Sequence, residues 1–254
     1  MGWTYHSYLG LPLLANQGMI DSTGQPLASM AFMQVVWGLR KKPYIGVRPL
    51  NHAHEAPSKG SWQFTDAIDS WNWPGFEGTK ATVEVYSAGS AVRLLLNGQK
   101  IATRRLKDYK ALFHLPYAPG VLTAQALDAS GTVLAESSLS SGKGKRKLSA
   151  IPEKRILQAG SGALCYLPVE FVDEEGVLLP AVETSVELSI RGPIIREGFG
   201  SALYKTEESY QQDHFTSYRG RCLAVFRAGN QPGTATVTIS SAGTEPITVT
   251  LEVE

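Results

Sequence analysis

The chain has 254 residues, 43% of them hydrophobic, and 24 basic residues against 23 acidic ones leave a net charge of +1. That length holds one large domain or about two or three small ones, and the near-neutral balance excludes long-range capture of nucleic acid or an anionic membrane. No window reaches the ~18 consecutive apolar residues of a membrane helix. The N-terminus lacks the charged segment and apolar run of a secretory signal, which leaves the cytoplasm as the default expectation.

The first 42 residues differ in character from the rest. An aromatic stretch, Trp3-Thr4-Tyr5-His6-Ser7-Tyr8-Leu9-Gly10, reads as a strand, and residues 11–24 read as a loop. Pro26 suits a first helical position, and Leu27, Met30, Ala31, Gln34 and Trp37 recur at helical spacing, predicting a helix over 27–39. Gly38 with Arg40, Lys41 and Lys42 favours a helix end there. Strand, loop and helix make one βα unit, which cannot bury both of its faces alone. Residues 43–78 form a connector carrying Trp62, Trp71 and Trp73, large apolar rings of the kind that glue domains together.

From residue 79 the pattern becomes short alternating strands separated by turn signals, as in a β-sandwich. Strands are predicted at 82–86, 92–96, 110–114, 121–127 and 132–137, with a hairpin turn at Asn97-Gly98. The Gly/Ser-rich segment 140–147 marks the domain boundary. Its basic residues Lys143, Lys145, Arg146 and Lys147 read as a solvated linker rather than a polyanion site. A second sandwich, residues 147–254, has predicted strands at 164–172, 186–190, 222–226, 234–239 and 247–253. Gly198-Phe199-Gly200-Ser201 reads as a glycine turn needing positive φ. Residues 204–218 read as a long loop with aromatic and acidic groups, able to bind carbohydrate or to fold back over its own sandwich. Cys165 and Cys222 are the only cysteines, either a bridge between the two sheets or two buried thiols.

Several phrases resemble one family, glycoside hydrolase family 2, in its β-galactosidase-like members with extra C-terminal domains. The stretch Trp3 to Gly10 resembles the phrase on the last strand of the family's (β/α)₈ barrel, and Gly18 to Gly24 with the following helix resembles the barrel's closing segment. Trp71-Asn72-Trp73 through Glu77-Gly78 resembles the join to the next domain. Leu94-Leu95-Leu96-Asn97-Gly98 and Leu115-Pro116-Tyr117 resemble the first C-terminal sandwich, and Tyr218-Arg219-Gly220-Arg221 the last. The implied architecture is mainly β: two immunoglobulin-like β-sandwiches (79–140 and 147–254) preceded by a βα barrel remnant (1–42) and the aromatic connector (43–78). The chain departs from the family at Ser7, where an aspartate is usual, and at Leu11, where a glutamate is usual.

The resemblance implies a retaining glycosidase as parent, whose reaction needs two carboxyl groups ~5–5.5 Å apart, a nucleophile and an acid/base of raised pKa. In the family both are glutamates at the ends of barrel strands upstream of the stretch that Trp3 begins, and the acid/base follows an asparagine. No Asn-Glu dipeptide occurs here. The pairs Glu174-Glu175 and Glu207-Glu208 read as solvated turn charges, since neighbours in a strand point to opposite faces. The chain alone is therefore expected to hydrolyse no glycoside, with no catalytic residue, metal or cofactor of its own. The resemblance places Trp3 against sugar in the parent, with His6 beside it. The spacing of His52 and His54 supplies too few ligands for zinc. An accessory role against the parent's missing barrel is the leading expectation. A carbohydrate-binding module and an immunoglobulin-like interaction module are the alternatives.

Overall fold

The structure, a computed structural model, describes residues 18–55 and 63–254. The chain divides between Gly142 and Lys143 into two compact units.

In the first unit, α1 (Ala28–Val36) is shorter than its periodicity predicts. Leu27 is the N-cap in extended conformation, so Pro26 lies outside the helix, in a bridge with Ile20. At the other end Gly38, at φ +71, turns the chain while its N–H donates to the Val35 carbonyl. A glycine with positive φ at this position is a common helix stop. The strands are β1 (Tyr44–Val47), β2 (Lys80–Tyr86), β3 (Ala91–Leu96), β4 (Gln99–Arg105), β5 (Lys110–Pro116), β6 (Val121–Leu127) and β7 (Val133–Ser140). They form a three-stranded sheet, β1-β2-β5, and a four-stranded sheet, β4-β3-β6-β7, with every pairing antiparallel. Buried Val83, Val85, Ala111 and Phe113 come from the first sheet, and Val92, Leu94, Leu122 and Ala124 from the second. Asn97 and Gly98 both have positive φ, the geometry of a type I′ hairpin between β3 and β4.

The connector residues do not stand apart from this unit. Tyr44–Val47 pairs with β2, a strand too short and too uniformly buried to show alternation in sequence. Trp71 and Trp73 are fully buried within the first unit rather than offered to another surface. The Trp71 indole N–H donates to the Ala118 carbonyl (3.0 Å), and the Trp73 backbone N–H donates to the Tyr117 hydroxyl (3.0 Å). Their rings serve as the base of this sandwich.

The second unit holds β8 (Lys147–Ala150), β9 (Ile156–Leu157), β10 (Leu164–Val172), β11 (Ser185–Arg191), β12 (Ile194–Gly200), β13 (His214–Thr216), β14 (Arg221–Ala228), β15 (Gly233–Ser240) and β16 (Ile247–Val253). A four-stranded sheet, β12-β14-β10-β8, faces a five-stranded one, β13-β11-β15-β16-β9, and side chains of both make one core. Mainly β architecture with stacked sheets in each unit is the class the sequence predicts.

One detail corrects the sequence reading, and a second decides between its two alternatives for the cysteines in favour of buried thiols. Gly198 and Gly200 lie inside β12, and neither has positive φ. A register shift between Arg196 and Gly198 marks a β-bulge, and the space a Gly200 side chain would fill is taken by the Tyr210 ring. Glycine is needed here for close approach, not for a turn. The two cysteines are free thiols on neighbouring strands of one sheet, not on opposing sheets. Cys222 lies opposite Val169, four residues along from Cys165, so about 13 Å of strand separates the two levels, far beyond disulfide reach.

Candidate functional site

The outer face of the sheet β1-β2-β5 carries a cluster of polar and aromatic groups. On β2, Glu84 and Tyr86 alternate with Val83 and Val85, so the valines enter the sandwich core and Glu84 and Tyr86 point the other way. Helix α1 covers this face through Ala28, Ala31 and Val35, packed on Tyr44, Ala67 and Tyr86. Tyr44 stacks on Tyr86 with ring centroids 5.6 Å apart. Phe32 meets Tyr86 edge-on at 5.3 Å and Phe64 at 5.0 Å.

Glu84 is a carboxylate buried beneath these rings. It accepts hydrogen bonds from the Tyr86 hydroxyl (2.7 Å) and the Thr65 hydroxyl (3.1 Å), and pairs with Lys110 from β5. Burial, and then the neighbouring Glu84 charge, pushes the Tyr86 phenol far above the ordinary tyrosine range. A phenol so strongly held in its neutral form serves as a fixed donor, not as a proton-transfer group near neutral pH. The cluster is therefore a clamp that ties β2, β5 and the segment around Thr65 together.

A cavity of about 790 Å³ opens beside the clamp. Phe32, Phe64 and Leu112 give it an apolar floor, and Arg104, Arg105, Lys107 and Lys110 give it a cationic rim with Asp108 as the one carboxylate among the described residues of the lining. Volume and lining fall within the range of small-ligand sites. A lone carboxylate cannot supply the paired groups that retaining glycoside hydrolysis requires.

The residues singled out by sequence fare differently. Trp3 and His6, with Ser7 and Leu11, lie outside the described residues, as does Trp62. His52 Nδ1 is 2.7 Å from Glu55 Oε1, in a turn. No group of three or more His, Cys, Asp or Glu side chains with metal-binding geometry occurs among the described residues. Glu174 and Glu175 sit exposed in a turn, but Glu208 does not conform to the solvated reading. Its carboxylate accepts from the Thr216 N–H (2.9 Å) and hydroxyl (3.0 Å), stapling the 201–213 loop down. That loop folds back on its own sandwich: Tyr210 stacks on Phe215 at 5.2 Å, and its carbonyl accepts from the Phe199 N–H. The Glu84 clamp escaped sequence reading, although an acid and a tyrosine at i, i+2 alternating with Val83 and Val85 were its visible signal.

Comparison with known proteins places this fold. Residues 148–250 match the family model for glycoside hydrolase family 2 C-terminal domain 5, and residues 78–135 match a domain of unknown function (DUF4982). The β-galactosidase BoGH2A of Bacteroides ovatus is 27% identical over 179 residues, 68% of this chain and 20% of that one. A glycosyl hydrolase family 2 member from Bacteroides cellulosilyticus superposes with a TM-score of 0.82 at 27% identity, over 96% of this chain and 32% of its own. Residues 148–250 are a glycoside hydrolase family 2 C-terminal domain, and the chain as a whole is similar to the C-terminal region of family 2 enzymes. A β-glycosidase from Bacteroides vulgatus shares the fold at 21% identity, with a TM-score of 0.73 over 95% of this chain and 28% of that one. The chain thus spans a third or less of the length of these relatives.

Proposed function

We propose that this chain is the non-catalytic, C-terminal accessory part of a retaining β-galactosidase-like enzyme. In this reading residues 1–42 close the barrel, residues 43–78 join it to the sandwiches, and the hydrolytic carboxylates belong to the parent's barrel. The carrying observation is the match to the Bacteroides ovatus β-galactosidase over 68% of this chain.

The barrel itself is the partner this reading requires. At the C-terminal end of α1, Val36, Trp37 and Leu39 stand exposed, Trp37 at 60% and Leu39 at 72%. Three large apolar side chains on one short segment form a patch of the sort that another surface covers. Accessory sandwiches buttress such a barrel by adding rigid buried area, and rigidity keeps a catalytic constellation in register.

Calorimetric titration of the chain with galactose-containing oligosaccharides separates this role from that of a glycan-binding module. Absence of saturable heat is expected. Saturable binding would transfer the assignment to the glycan-binding alternative.

A further inference from the structure

The cavity beside the Glu84 clamp wraps an open sheet edge. In the order β1-β2-β5, strand β5 is outermost, and in β4-β3-β6-β7 strand β4 is outermost. Thr103, Arg104 and Arg105 of β4 and Lys110, Ala111 and Leu112 of β5 all line the cavity.

The ladder fixes which main-chain groups of β5 face outward. Ser87 N–H donates to the Tyr109 carbonyl at one end of the β2–β5 pairing, and Tyr117 N–H donates to the Thr79 carbonyl at the other. Antiparallel hydrogen-bonded pairs recur every second residue. Ala111, Phe113 and Leu115 therefore bond to β2, and the main-chain groups of Lys110, Leu112 and His114 point to the open side. Those of Lys110 are used by Lys107 in a reciprocal pair of 2.9 Å bonds. Among the described residues, Leu112 and His114 are left with an unpaired edge.

Around that edge cations outnumber carboxylates, four to the single Asp108 among the described lining residues. Lys110 is paired with Glu84, but no carboxylate pairs with Arg104, Arg105 or Lys107 among the described residues. The turn holding Lys107 beside Lys110 places Asp108 (φ 49) and Tyr109 (φ 64) in the left-handed region. For a tyrosine that conformation is uncommon and costs energy, and such strain persists where the surroundings impose it.

An unpaired strand edge, an apolar floor and unpaired cations together define one kind of occupant. We propose that this cavity binds an extended acidic peptide segment with a large apolar anchor residue. Its main chain adds to the edge of β5 at Leu112 and His114, its anchor rests on Phe32 and Phe64, and its carboxylates meet Arg104, Arg105 and Lys107. Strand addition supplies affinity through main-chain bonds, and the floor and rim supply selectivity. This site is independent of the accessory reading and stands or falls without it.

The test uses the full 254-residue chain and a short, dye-labelled, end-blocked peptide with one central phenylalanine flanked by aspartate and glutamate. Fluorescence anisotropy is expected to show saturable one-to-one binding. The exposed double substitution Arg104→Glu/Arg105→Glu is expected to weaken it by about tenfold or more at low salt. Amide hydrogen exchange at Leu112 is expected to slow on saturation, which simple electrostatic adhesion would not produce. The proposal is overturned if the peptide does not saturate at millimolar concentration, or if a lysine-flanked peptide binds equally well. Unchanged exchange at Leu112, or binding insensitive to the double substitution in a variant that keeps its wild-type melting profile, also overturns it.

Discussion

The ring of Tyr210 occupies the place of a side chain at Gly200: a Cβ built on that glycine would lie 2.3 Å from Tyr210 Cδ1. Strand β12 and the loop that follows it are therefore packed together by an omission. Tyr210 then stacks on Phe215, whose side chain is fully buried in the second core. Gly200→Ala must displace the ring, and overpacking of this kind costs about 1–3 kcal/mol. Urea unfolding should show that loss, and Gly200→Ala/Tyr210→Ala should lose less than the sum of the two single changes, because they share one contact.

Tyr117 organises the base of the first sandwich. Its hydroxyl accepts the Trp73 N–H, and its ring meets Trp71 edge-on at 4.9 Å. Tyr117→Phe keeps the ring and leaves a buried N–H without its acceptor, a loss of about 1–3 kcal/mol. Intrinsic tryptophan fluorescence, which reports the buried Trp71 and Trp73, should register an earlier unfolding transition. An unchanged midpoint would remove this bond from the stabilising set.

Breaking the Glu84 clamp should cost more. Glu84→Ala leaves the Lys110 ammonium and the Tyr86 hydroxyl without their acceptor beneath the aromatic cluster. Removal of one partner from a buried pair typically costs about 3–5 kcal/mol, discounted here because Lys110 is one-third exposed. Glu84→Gln, which retains an acceptor oxygen, should lose less. Equal losses for the two variants would mean that the charge, not the hydrogen-bond acceptor, carries the clamp.

The two thiols give the second unit an alkaline weakness. Burial raises the Cys222 thiol well above its ordinary value of 9.0, and burial also raises Cys165. The folded state therefore keeps protons that the unfolded chain releases, so stability is intact below pH 9 and falls as pH rises above it. Tyr210 and Tyr218, also raised by burial, add to the fall only above their ordinary value of 10.0. Between pH 9 and 10 the unfolding free energy should decline, and Cys222→Ala should flatten that slope. A slope identical in the variant would refute the assignment to this thiol.

Much of this architecture is legible in the sequence, for reasons visible residue by residue. Strand β10 alternates buried and outward positions from Leu164 to Val172, and β16 does so near the C-terminus, so both carry a period-two signal. Asn97-Gly98 announces its turn because both residues tolerate positive φ. Strand β4 escaped because it is an outermost strand, exposed at every position but Ala102, and thus has no apolar face to betray it. Strand β12 reads as a turn in sequence because Gly200 makes room for Tyr210, a partner ten residues away that no local pattern reveals. The clamp lay hidden for the same reason. Thr65, Glu84, Tyr86 and Lys110 belong to separate segments, and only the β2–β5 register brings Tyr86 opposite Lys110.

Steady-state fluorescence with an aryl β-galactoside, using the purified 254-residue chain at high concentration, tests the accessory assignment most directly. The expected result is a rate equal to that of buffer. Turnover that scales with protein and is lost on substitution of one of the chain's own carboxylates would contradict it.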